Sequence, residues 1–253
     1  MRVILSLSVL VFSLTMAFVD SANLDKIYVV AVNKDYPPYV TINPETNEIE
    51  GLSVDITRAI CDNLNINCQF TRLDYKDFFH DLEKNKVDII CYSSGLRMDI
   101  SALFLSTNKF LSSASAFVGL KGAVKNFSPN ELIGKRIGVV RKSPQDWYVG
   151  VNYQEFSEER EFEEFQEIMT ALVLGEIDLG FVDIMAFYYY VQRDKGLDFD
   201  IYGPPVNLGD GGFLIIRNNQ EKLLKDLNQA ILTVRYSSQF EAINAKYFDF
   251  FIF

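Results

Sequence analysis

The stretch Val87 to Phe110, VDIICYSSGLRMDISALFLSTNKF, runs from an apolar β-like segment through a small polar turn, Ser93-Ser94-Gly95, into a helix-like segment. That order places the turn at the carboxyl end of a strand and the start of a helix, where backbone N–H groups and hydroxyls face a crevice. The same arrangement recurs along the chain. Ile27 to Val32 (IYVVAV) is β-branched and uniformly apolar, as a strand buried on both faces of a parallel sheet must be. Ile137 to Val140 and Ile177 to Asp183 repeat the pattern. Between these runs lie helical periods: Ile56, Ala59, Ile60 and Leu64 share one face, and Phe78, Phe79 and Leu82 another. With a further strand from Ile66 to Leu73, the order is β-α-β-α-β, which predicts an α/β fold with helices covering both faces of its sheets.

A chain of 253 residues, 49% hydrophobic, is long enough for one or two domains with real cores. Its net charge of −10 argues against nucleic acid as a partner. The N-terminus carries Arg2 and then an uncharged apolar run from Val3 to Val19, which reads as a secretory signal over residues 1–22, with Val19-Asp20-Ser21 as recognition triplet. An uncleaved N-terminal anchor is the competing reading. Of the three cysteines, Cys61 and Cys68 flank the end of a helix and the start of a strand. In an exported protein they form either a local disulfide or two buried thiols, and Cys91, in an apolar run, is a core residue.

Several loops carry candidate chemistry. Asn33 to Tyr39 (NKDYPPY) leaves the first strand with two prolines, holding Tyr36 and Tyr39 on a stiff backbone where a ring can stack on a ligand or cover the sheet edge. Ser143-Pro144-Gln145 reads as a capped helix N-terminus, suited to an anion. Asp183 ends a buried strand and is placed to meet a ligand cation, to cap the next helix, or both. His80 is the only histidine and lies among charged neighbours, as on a solvated face; a His/Cys metal site has too few ligands, and a nucleophile–histidine arrangement could be built only on that one residue. Ser157 to Glu167 is acidic and is expected to be a solvated helical face. Gly203-Pro204-Pro205 is expected to break the chain, and Leu208 to Gly212 is a glycine-rich crossing without the lysine of a phosphate-binding loop. Leu223 to Ile243 has helical spacing, and the aromatic tail Tyr247 to Phe253 is expected to pack on the first half of the molecule.

Taken in order, DYPPY, GLSVDIT, the Cys61/Cys68 spacing, VDII, GKRIGVV, SPQDWY, GEIDLGFVD, GPPVNLGDGG and KYFDF make the chain after its signal segment resemble the family 3 extracellular solute-binding proteins, in the branch that binds lysine, arginine, ornithine and histidine. The resemblance implies the two-lobed type II periplasmic-binding-protein fold: two mixed or parallel sheets flanked by helices and joined by a double-crossover hinge. Lobe 1 would comprise 23–113 and 208–253, and lobe 2, inserted in it, 114–207. It further implies a periplasmic, monomeric, non-enzymatic protein without a cofactor, delivering an ammonium-bearing amino acid or amine to an ABC-type permease by hinge closure. By position, Tyr36 and Tyr75 would sandwich the ligand side chain, Ser93, Ser143 and Gln145 would contact it, and Asp183 would receive its α-ammonium.

Two positions depart from that pattern. Ile100 stands where the family has the arginine that clamps the ligand carboxylate, a bidentate task no aliphatic side chain performs. Arg97, one helical turn earlier, is the candidate substitute. Asn33 stands where basic-amino-acid binders carry an acid, and Tyr92 and Gly95 replace family serines. The rival readings are an enzyme of the cyclohexadienyl dehydratase type on the same fold, and a signalling module without a small ligand.

Overall fold

The computed structural model describes residues 26–33, 35–93, 102–125, 127–155, 157–193, 196 and 198–252. In chain order its strands and helices are β1 (Ile27–Val32), β2 (Thr41–Ile42), β3 (Ile49–Glu50), α1 (Leu52–Asn63), β4 (Asn67–Arg72), α2 (Tyr75–Glu83), β5 (Ile89–Ser93), β6 (Phe104–Ser106), β7 (Leu111–Ser112) and β8 (Ser115–Leu120). There follow β9 (Arg136–Val140), α3 (Pro144–Tyr153), β10 (Glu158–Phe162), α4 (Phe165–Leu174), β11 (Leu179–Asp183), α5 (Ile184–Arg193), β12 (Phe199–Val206), β13 (Gly211–Arg217), α6 (Glu221–Arg235) and α7 (Ser238–Tyr247). The signal segment, Arg97, Gly95 and Ile100 lie outside the described residues.

Two sheets carry the architecture. The first has the order β4-β1-β5-β13-β6, with β7 also on β13, and the second β10-β9-β11-β8-β12. The βαβ units make β1 parallel to β4 and β5, and β9 parallel to β10 and β11. β13 and β8 run antiparallel to their neighbours, so both sheets are mixed. Each sheet is packed on both faces by apolar clusters, which explains why its central strands lack polar alternation. The chain passes from the first sheet to the second between Ser112 and Ser115 and returns between Val206 and Gly211. Helix α4 lies close on the second sheet because Gly138 and Gly180 face each other across β9 and β11. A Cβ on Gly180 would come within 2.7 Å of the Ile168 side chain.

Three elements differ from the expectation. The acidic stretch after Ser157 begins as β10, an edge strand paired with β9, and turns helical only at Phe165. Its parallel pairing with β9, from Glu158 on Arg136 to Phe162 on Val140, makes it a strand although only Glu159 and Phe162 are half-buried and the burial does not alternate. Gly203-Pro204-Pro205 does not end β12 but sits within it as an irregularity between Tyr202 and Val206, where prolines are tolerated because β12 is an edge. The long C-terminal helical pattern is split by Ser237, whose hydroxyl accepts the Phe240 N–H at 3.3 Å and caps a separate helix.

Cys61 and Cys68 form a disulfide joining the end of α1 to β4. Cys91 is a free, buried thiol beside the Thr57 hydroxyl (3.3 Å), and burial pushes its pKa up to about 12, making it chemically inert. Among the described residues no helix is long and apolar enough to cross a membrane. Closing so short a loop constrains the unfolded chain by about 2 kcal/mol. The double variant Cys61→Ser/Cys68→Ser is therefore expected to melt roughly 4–8 °C lower in a thermal scan.

Candidate functional site

At the carboxyl end of β11, whose five residues are all buried, Asp183 is only 6% exposed. Its Oδ1 accepts the Ala186 N–H at 3.0 Å, capping α5, and the Tyr39 hydroxyl at 2.8 Å from the loop after β1. Burial raises the Asp183 pKa, and hydrogen bonds from Ser113, the Ala186 N–H, Tyr39 and the Met185 N–H hold it back. The group is thus a caged carboxylate whose donors come from both halves of the molecule.

The loop after β1 delivers Tyr39. Tyr36 and Val40 form a bridge, with Tyr36 N–H donating to the Val40 carbonyl at 2.8 Å and Val40 N–H to that of Tyr36 at 3.1 Å. The Leu52 and Ser53 N–H groups then bond the carbonyls of Pro38 and Tyr39, pinning the loop to the start of α1. Gly51 makes this possible: its φ is 129°, and any Cβ would sit 2.4 Å from the Tyr39 oxygen. Tyr36 stacks on Tyr39 with ring centroids 5.3 Å apart and packs against core clusters of both sheets. Burial, then the charges of Asp183 and Asp210, raise its phenol well above the usual tyrosine range.

A second polar group joins the two crossings to α3. Gln145 donates from Nε2 to the Ser115 hydroxyl (2.8 Å) and to Asp210 Oδ2 (3.2 Å), and the Ser115 hydroxyl donates to the same oxygen (3.3 Å). All three side chains are buried, Asp210 at 3% exposure, and Lys109 Nζ reaches the Asp210 carbonyl at 2.9 Å. Two acids, two tyrosines and a glutamine amide therefore meet between the sheets, a set that can hold a small cation through charge, hydrogen bonds and ring faces.

Other predicted residues stand as follows. Ser93 ends β5 with its hydroxyl 2.8 Å from that of Ser53. Tyr75 opens α2, 41% exposed, with its hydroxyl 2.8 Å from that of Tyr92 and the two rings 5.7 Å apart. Ser143 caps α3 by accepting the Asp146 N–H at 3.1 Å. Tyr39 holds more of the site than its loop position suggests, and neither Asp210 nor Ser115 stands in a recognisable motif. The acid between glycines at Leu208 to Gly212 was the available signal for Asp210.

Away from this site, Asp146, Glu159 and Glu161 bring carboxylate oxygens within 4.8 Å of one another, a donor set suited to a hard cation. Arg141 Nε already pairs with Glu161 at 2.6 Å, and the Lys142 N–H with Asp146 at 2.5 Å. The Glu159 pKa is pushed up to about 7, first by burial and then by Asp146. An acid that binds its proton more tightly when folded stabilises least once pH exceeds its folded pKa. Stability should therefore fall as pH rises from about 4.5 to 7, and Glu159→Gln should flatten that decline in denaturant titrations. A variant whose pH profile matches the parent would show that Glu159 is not the group responsible.

The caged Asp183 yields a second expectation. Tyr39→Phe leaves a buried carboxylate one donor short, at a cost of about 1–3 kcal/mol, measurable as a lower urea midpoint at neutral pH.

The sequence model for bacterial extracellular solute-binding proteins, family 3, matches residues 28–250. The chain is 26% identical to the L-arginine-binding protein of Pseudomonas aeruginosa, over 90% of each chain. It is 25% identical to the histidine-binding periplasmic protein of Escherichia coli, over 100% of this chain and 98% of that one. Among solved structures, an ancestral arginine-binding protein bound to arginine superposes with a TM-score of 0.75 at 20% identity, covering 89% of this chain and 99% of that one. A Salmonella typhimurium periplasmic binding protein with high arginine specificity gives 0.72 at 19% identity, over 88% and 99% of the chains. The two-lobed type II architecture is common to them.

Proposed function

From the premise that the chain belongs to the bacterial extracellular solute-binding proteins of family 3, we propose that it captures a small ammonium-bearing solute, an amino acid or amine, between its lobes and passes it to an ABC-type permease. The observation that carries this reading is Asp183, a buried carboxylate at the carboxyl end of a central strand, facing the other lobe through Tyr39. In this reading Asp183 is the counter-ion for the ammonium, and Tyr36 supplies a ring face, with Tyr75 opposite. Ser93, Ser143 and Gln145 furnish polar contacts. Arg97 holds a carboxylate in place of the residue lost at Ile100. The relatives named for arginine and histidine favour a basic amino acid as first candidate. The lobes divide at 113/114 and 207/208, and the protein works as a monomer in the periplasm after losing residues 1–22.

A thermal-shift screen of L-arginine, L-histidine, L-glutamine and simple diamines tests the reading. A ligand at a hundred times its Kd stabilises by about 2.7 kcal/mol, or roughly 5–10 °C for a chain of this size. Asp183→Asn, which keeps a capping oxygen, should abolish the shift. In the parent, affinity should fall on acidification from a pH above the usual carboxylate range, because burial makes Asp183 take up its proton early. Absence of stabilisation by any cationic or zwitterionic compound would overturn the assignment. Arg97→Ala separates two ligand classes: an amino acid should lose about 2–5 kcal/mol of binding while a plain amine is unaffected.

A further inference from the structure

Besides the two chain crossings, the lobes are joined by a bridge at the C-terminus. Asn244 of α7, 5% exposed, uses both ends of its amide on the tail: Nδ2 donates to the Phe250 carbonyl (2.7 Å) and Oδ1 accepts the Ile252 N–H (2.9 Å). Phe248 and Ile252 are buried in the core that covers the first sheet, and Phe251 meets Phe240 at 5.9 Å. The tail is therefore fixed to lobe 1 and turns Asp249 and Phe250 outward. Both of these meet α5 of lobe 2. Gln192 Nε2 donates to Asp249 Oδ1 at 2.8 Å, and the Tyr188 and Phe250 rings pack edge to face at 5.1 Å.

Helix α5 is built for two neighbours. Ala186, Phe187, Tyr190 and Val191 pack in the core of the second sheet, whereas Met185 and Tyr189 belong to that of the first. With Tyr188 and Gln192 these make a stripe at 185, 188, 189 and 192, one continuous helical face turned toward lobe 1. A helix covering only its own sheet would leave that stripe polar. The same helix is capped by Asp183, so whatever grips its middle also fixes the carboxylate at its start.

We propose that the tail, through Asp249 and Phe250, is an inter-lobe strap that grips α5 at Tyr188 and Gln192 and holds the lobes together, so that opening of the cleft requires its release. The contact suits that task. Tyr188 and Phe250 are each more than a third exposed, and the Gln192–Asp249 bond is at the surface, so the strap adds to closure without locking it.

The test needs no ligand and is independent of the solute assignment. Spin labels on Lys84→Cys in lobe 1 and Glu176→Cys in lobe 2, both exposed sites, report the inter-lobe distance. Phe250→Ala and Tyr188→Ala should each shift the distribution to longer separations, and the double variant should open no further than either alone. Gln192→Glu, which keeps the side chain's size, sets two carboxylates against each other and should also open the lobes. Adding Asp249→Asn should restore closure, because the new amide donates to the introduced carboxylate. An unchanged distance in Phe250→Ala and Gln192→Glu, or additive opening by the Tyr188 and Phe250 variants, would overturn the proposal.

Discussion

The hydrogen bond from Tyr39 to Asp183 is the interaction on which the rest of the site depends. A carboxylate this deeply buried is unfavourable unless its oxygens are fully engaged. Its donors come from the first lobe, from the crossing at Ser113 and from the first turn of α5. No single element can satisfy it, so the charge is stable only when the lobes and the crossing are correctly assembled. Gly51, the Tyr36–Val40 bridge and the packing of α1 all serve to bring the Tyr39 hydroxyl to that place.

The polar groups between the lobes divide into two kinds. Asp183 and Tyr39 join the lobes directly, whereas Gln145, Ser115 and Asp210 tie α3 to the two crossings. The second group couples the start of α3 to both crossings. The tail contact on α5 adds a third link farther from the crossings. These polar links lie beside apolar packing between the lobes, where Met185 and Tyr189 of α5 join the core of the first sheet and Tyr36 touches the cores of both.

Much of the fold was legible because its determinants are local. IYVVAV, IGVV and the Leu179–Asp183 run lack polar alternation because both faces of each sheet are covered, and the intervening helices carry plain apolar stripes. Ser143 and Gly175 were readable as helix ends for the same reason, a hydroxyl accepting an N–H and a residue at φ 69°. The failures came where tertiary pairing decides. Glu158 to Phe162 has charge density enough for a helix, but the free edge of β9 recruits it as a strand. Asp210 looks like an ordinary loop acid, and only its distance from Gln145 and Ser115, residues far away in sequence, gives it a role. The tail packs on lobe 1 as its aromatic composition suggests, through Tyr247, Phe248 and Ile252, and its further reach to α5 rests on the Asn244 bonds that hold it.

The central claim is that Asp183 is the counter-ion for an ammonium group bound between the lobes. A crystal structure of the purified protein with its co-purifying ligand, or with L-arginine supplied, tests it most directly. The account predicts a ligand nitrogen within about 3 Å of an Asp183 carboxylate oxygen, with the Tyr36 ring against the ligand. A ligand seated between the lobes whose nitrogen lies elsewhere, leaving Asp183 bonded only to Tyr39, the crossing and the start of α5, would contradict it.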